Sequence, residues 1–100
     1  MALTIEWTPK AIDGYISILQ YIESNFGYST SKKYAESIES TIQLISKFSG
    51  IGSVKYPELK IRSFVVNKKT SIYYLVESKT FKILYVLDNR MDRDAIIKGA

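Results

Sequence analysis

The chain has 100 residues, 46% of them hydrophobic and 24% charged, which is enough for one globular domain with a single modest core. It contains no cysteine and no histidine. That excludes disulfides, thiolate metal sites and histidine-based acid–base or nucleophilic catalysis. The net charge of +4 is lopsided, because residues 1–50 carry −1 and residues 51–100 carry +5, so an acidic or polyanionic partner is expected on the second half.

Leu3 to Trp7 is rich in strand formers and predicts a short strand. Thr8-Pro9 then reads as a helix cap followed by proline at the first helical position. Apolar residues recur at Ile12, Tyr15, Leu19, Ile22 and Phe26, one stripe of a helix that Gly27 stops. Gly14 interrupts this stripe at a cost of about 1 kcal/mol relative to alanine. Ser29, Thr30 and Ser31 offer caps for a second helix, whose stripe is Tyr34, Ile38, Thr41 or Ile42, Ile45 and Phe48. The short link between the helices predicts an antiparallel hairpin. Gly50 and Gly52 end it.

Beyond that break the chain turns to Ile, Val, Tyr, Phe and Thr. Strands are expected at 59–66, 70–77 and 80–87, joined by hairpin turns at Asn67-Lys68-Lys69 and Glu77-Ser78-Lys79. Asp92 to Lys98 could add a final helical turn or two. The longest apolar runs, Ile72 to Val76 and Ile83 to Leu87, are far shorter than the roughly 20 residues of a membrane span. The N-terminus lacks a basic start followed by an apolar stretch, so a cytoplasmic protein is expected. The expected fold is a single α+β domain over 1–100: an N-terminal strand and a helix hairpin packed on one face of a twisted antiparallel sheet, in the order β-α-α-β-β-β. The opposite sheet face is expected to be partly open, and is the default place for a ligand or partner.

Several local patterns then converge. They are Trp7-Thr8-Pro9-Lys10-Ala11 with Tyr21-Ile22, Ile42-Gln43-Leu44-Ile45 leading to Gly50-Ile51-Gly52, and Leu59-Lys60-Ile61-Arg62. Val65-Val66-Asn67-Lys68, Ser71-Ile72-Tyr73-Tyr74 and Ile83 through Asp92 complete the set. In this order the chain resembles the RelE/ParE superfamily of bacterial type II toxin–antitoxin toxins. The resemblance covers nearly the whole chain and implies a helix hairpin on a twisted antiparallel sheet. It also implies a cognate antitoxin in a heteromeric complex, and no metal or organic cofactor.

Two activities follow from the resemblance: ParE-like poisoning of DNA gyrase, a topoisomerase, or RelE-like cleavage of mRNA on the ribosome. A non-toxic module of the same fold, binding protein or RNA, is the third alternative. Metal-independent RNA cleavage needs a base for the 2′-hydroxyl, cations for the phosphate charge and an acid for the leaving oxygen. Candidates for such chemistry are Arg62, Arg90 and Tyr74. Candidates for target or RNA binding are Lys60, Arg62, Lys68, Lys69, Tyr73 and Arg90. Tyr56, Asp88 and Asp92 could also contribute a phenol or carboxylate. Ser71 stands where RelE-like members carry an arginine ahead of the strand tyrosine, and the tail from Ala95 to Ala100 holds neither tyrosine nor histidine. Both departures argue against the RelE-like mechanism. They are compatible with a ParE-like inhibitor, the preferred alternative, or with a nuclease using other residues.

Period two places Lys60 and Arg62 on one strand face. Arg62 could instead pair with Glu58 or Asp92, and Arg90 with Asp92. Lys68 and Lys69 lie in a turn, where a lysine is ordinarily solvated, with contact to a polyanion as the alternative. Tyr73 and Tyr74 must face opposite sides of their strand, one in the core and the other available to stack on a base or a partner side chain. The pattern does not say which, because both faces are mostly apolar. Tyr15, Tyr21 and Tyr34 are expected to be structural.

Overall fold

The computed structural model describes residues 2–99. Thr8 both ends the first strand, β1 (Thr4–Trp7), and starts the first helix, α1 (Pro9–Phe26). Its hydroxyl accepts the Ala11 N–H at 3.1 Å and donates to the Leu84 carbonyl at 2.9 Å, so a helix cap also ties α1 to the sheet. Gly27, at φ 93°, then redirects the chain straight into α2 (Tyr28–Lys47). The second helix therefore begins before the expected Ser and Thr caps. Ser31 is instead buried, and its hydroxyl donates to the Leu19 carbonyl at 3.0 Å across the hairpin. The Tyr15 hydroxyl adds a second clasp by donating to the Glu39 carboxylate at 2.8 Å.

The face of α1 that meets the sheet is centred on Ala11, Tyr15, Ile18 and Ile22. Ile12 and Phe26, expected in the core, are 42% and 62% exposed. The reason is Gly14. A Cβ built there would lie 2.4 Å from the Val86 carbonyl oxygen, so the helix turns its smallest residues inward and lies directly against the sheet. Core residues of α2 are Ile38, Ile42 and Ile45, as its stripe predicts, while Phe48 is exposed.

The sheet has five strands. After the 3-10 turn Ser49–Ile51 come β2 (Ser53–Tyr56), a second 3-10 turn (Pro57–Leu59), β3 (Ile61–Val66), β4 (Thr70–Glu77) and β5 (Thr80–Asp88). Their order is β1-β5-β4-β3-β2. The three long strands form the expected antiparallel meander. Two features are added: β2 extends the meander at one edge, and β1 lies parallel to β5 at the other, so the sheet is mixed. A bulge at Leu84 interrupts β5, where Tyr73 opposes Tyr85 but Tyr74 opposes Ile83. The extra residue lets Ile83 and Val86 both face the helices. Among the described residues no helix is long and apolar enough to cross a membrane.

The sheet face away from the hairpin is not left open. The last helix, α3 (Arg93–Ile97), is capped by the Asp92 carboxylate and lays Ile96 and Ile97 over Tyr56, Ile61, Tyr73 and Leu87. The Tyr56 hydroxyl donates to the Asp94 carboxylate, and the Lys98 ammonium sits 5.4 Å from the Tyr56 ring centre. Burial first, and the Asp94 carboxylate second, push the Tyr56 phenol up to about 12. A phenol raised above its unfolded value near 10 stabilises the fold fully below that pH, and the contribution fades as pH rises through about 12. Burial also pushes up the Tyr15 and Tyr74 phenols. Thermal unfolding followed by circular dichroism should therefore show stability falling between about pH 10 and 12. Tyr56→Phe should flatten that fall without removing it; an identical pH profile would detach Tyr56 from α3.

Candidate functional site

The cationic and phenolic candidates separate into three places. The first is a buried network where α2 meets the sheet. Tyr74 is completely buried and packs edge-on to Phe81, with ring centres 5.0 Å apart. Its hydroxyl donates to the Ser49 carbonyl at 2.8 Å and accepts the Gly52 N–H at 3.1 Å. Arg62, opposite Tyr74 in the β3–β4 register, donates from Nη1 to the Gly52 carbonyl at 2.8 Å. Neither Glu58 nor Asp92 is its hydrogen-bond partner. Arg62 and Tyr74 thus hold the chain reversal between α2 and β2 from both sides. Burial pushes the Tyr74 phenol above its ordinary value, with the Gly52 hydrogen bond and Arg62 pulling the other way.

The second place is the face under α3. Tyr73 is buried there at 2% exposure, with the Arg93 guanidinium beside its hydroxyl. It offers no free stacking surface. Lys60 does not share a strand face with Arg62, because it adopts a left-handed conformation (φ 59°) that closes the turn before β3 begins.

The third place brings predicted residues together. Lys68, Lys69 and Arg90 line one groove of about 890 Å³ between the far end of the helix hairpin and the end of the sheet. Lys68 lies with Asn67 in a turn of two successive left-handed residues. Asn89 fixes that turn: its N–H donates to the Lys69 carbonyl at 2.7 Å, and its side-chain amide donates to the Lys68 carbonyl at 3.1 Å. The two lysines are thereby stapled to the segment that carries Arg90.

Arg90 pairs with Asp88, not with Asp92. Its Nε and Nη2 donate to the two Asp88 carboxylate oxygens at 3.1 and 2.9 Å, and its backbone N–H donates to the same carboxylate at 2.8 Å. This hydrogen bonding, with Lys69 adding to it, holds the Asp88 carboxyl below its ordinary range. Asp92 is occupied in capping α3, accepting the Ala95 N–H at 3.2 Å.

The groove also contains residues that sequence reasoning placed elsewhere. Tyr21, expected to be structural, and Phe26, expected in the core, form its α1 wall at 51% and 62% exposure. Met91 closes the other side at 50% exposure. Tyr34 lies at its inner edge, where its hydroxyl bonds to that of buried Thr70. The adjacency of Phe26 to the helix-ending glycine was the available signal, since a last-turn residue often lies beyond the packed face.

Comparisons with known proteins place this geometry. Residues 5–93 match the family model described as ParE toxin of type II toxin-antitoxin system, parDE. The match spans most of the chain, and the chain belongs to this family. No curated protein sequence matches. Among solved structures, the chain is similar to one from the chromosomal ParDE TA system of P. aeruginosa, with a TM-score of 0.76 and 19% identity. That similarity covers 87% of this chain and 96% of the other, and it shows a shared fold.

Proposed function

We propose that this member of the ParE toxin family arrests growth by binding DNA gyrase, and that it does not cut RNA. The reading is supported chiefly by how the groups that RNA cleavage would draw on are committed. Arg62 and Tyr74 are tied into the chain reversal at Gly52, with Tyr74 fully buried. Tyr73 lies under α3. In the groove, where cations do gather, the nearby carboxylate is Asp88. It is held ionised by Arg90, and a depressed pKa makes it a weak proton acceptor. Among the described residues the site has charge and apolar surface for binding, and its carboxylate is tied up by Arg90. In this reading the toxin acts in the cytoplasm, where gyrase works, and is kept silent by its antitoxin.

The test is direct. The purified chain is titrated into a supercoiling reaction with DNA gyrase and relaxed plasmid, and separately into a translation reaction whose mRNA is mapped by primer extension. The expected result is blocked supercoiling with intact mRNA. Ribosome-dependent mRNA cuts, with gyrase unaffected, would overturn the proposal.

A further inference from the structure

We propose that the groove between the far end of the helix hairpin and the end of the sheet binds single-stranded DNA, with bases stacked on Tyr21 and Phe26 and phosphates held by Lys68 and Lys69. The stacking and the charge belong to this chain's own residues. Only the choice of DNA over RNA rests on the reading of gyrase, an enzyme of DNA, as the target. Among the described residues the exposed aromatic side chains are Tyr21, Phe26, Tyr28 and Phe48. The first two line the groove, and Tyr28 starts α2 just past Phe26, at 69% exposure. Exposed aliphatic residues, Leu44, Ile51, Val54 and Leu59 among them, lie outside it. The groove therefore presents flat rings, each able to stack on a base whatever the sequence. Tyr21 and Phe26 are five residues apart on α1, a rise of about 7.5 Å, so each takes a base of its own.

The sheet side of the groove supplies the charge. Lys68 and Lys69 line it, and among the described residues neither takes part in an ion pair. Asn89 bonds to both of their carbonyls, which fixes the turn that carries them. Arg90 and Asp88 also line the groove but neutralise one another, so the net charge of the lining is that of the two lysines. Rings from α1 and lysines from the β3–β4 turn make up the two parts of a single-strand site: platforms for the bases, and a cationic track for the backbone beside them. A duplex fits this arrangement poorly. Its bases are already stacked on each other, and bringing one onto a ring costs the free energy of unstacking it.

The experiment is fluorescence anisotropy of a short labelled oligothymidylate titrated with the purified chain, beside a duplex and an oligouridylate of the same length. The single strand should bind about ten-fold more tightly than the duplex. Its log affinity should fall against log salt with a slope of about −1.4, as for two phosphates. Lys68→Ala with Lys69→Ala should weaken binding about ten-fold at low salt and flatten that slope. Phe26→Leu should weaken it about ten-fold with the slope unchanged, because leucine keeps apolar bulk and loses the stacking face, whereas Phe26→Tyr should bind like the parent. All three side chains are exposed, so the variants should melt with the parent. No binding at low salt, or equal binding by Phe26→Leu and the parent, overturns the site. Tighter binding of the oligouridylate overturns the choice of DNA. Variants that weaken only the complex with the antitoxin would assign the groove to a protein alone, and the proposal falls. Supercoiling by gyrase is read separately. A chain that binds the oligothymidylate and leaves supercoiling untouched sustains this site and overturns the gyrase reading; a chain that blocks supercoiling and binds no oligonucleotide does the reverse.

Discussion

Replacing Gly14 by alanine should destabilise the protein by about 2 kcal/mol and lower its melting temperature by about 10 °C. The direction is opposite to the usual one, since alanine in place of a mid-helix glycine ordinarily gains about 1 kcal/mol. The new methyl would lie 2.4 Å from the Val86 carbonyl oxygen and 3.5 Å from its carbon. Those atoms are backbone, and β5 cannot give way, because it is paired to β1 on one side and β4 on the other. The α1 start is fixed as well, by Thr8 bonding to the Ile83 and Leu84 carbonyls at the bulge. The helix would have to lift, uncovering Ala11 and Ile22. Thermal unfolding by circular dichroism measures this, with Gly50→Ala as the control, since nothing lies within 4 Å of a Cβ there. A higher melting temperature for Gly14→Ala would show that α1 does not rest on β5.

Gly14 also shows where sequence pattern stops being informative. The spacing of apolar residues finds α1 and α2, because a 3.6-residue repeat is local. It cannot tell which flank of a broad stripe faces inward. That is decided by a close approach to Val86, more than 70 positions away in the chain. The three long strands are legible from their β-branched and aromatic runs. Strand β2 is not, since its four residues lie between a glycine-rich break and Pro57 and read as loop. The β5 bulge is hidden for a related reason: alternation assumes strict period two, and one inserted residue shifts Leu84 and everything after it. The faces of Tyr73 and Tyr74 could not be assigned because helices cover both sides of β4, leaving no polar side to break the tie.

The site was legible in part. The basic second half and the lysines of the β3–β4 turn point to a charged surface, and Lys68, Lys69 and Arg90 do converge. Their convergence depends on Asn89 bonding across to backbone carbonyls, which no spacing rule encodes. Arg62 misleads for the same reason. A strand arginine suggests a carboxylate or phosphate partner, and its partner here is the carbonyl of Gly52.

That network carries the second large effect. Gly52→Ala should destabilise the protein by about 2 kcal/mol or more, because its Cβ would meet the Tyr74 hydroxyl at 2.5 Å and the Ser63 carbonyl oxygen at 2.7 Å. Tyr74→Phe attacks the same point by subtraction. It leaves the Gly52 N–H and the Ser49 carbonyl without their partner in a buried setting, a loss of about 1–3 kcal/mol. Because both variants act on folding, growth inhibition on induced expression should fall with the folded fraction and return at a lower growth temperature, where that fraction recovers. Arg62→Lys separates structure from chemistry. Lysine can still donate to the Gly52 carbonyl but cannot reproduce the planar guanidinium, so a scaffold role predicts a modest loss of stability with toxicity retained. If Tyr74→Phe or Arg62→Lys abolished toxicity while melting at the parent temperature, the network would be acting in the reaction itself. The reading of this toxin as a binder of gyrase would then give way to one in which Arg62 and Tyr74 work on RNA.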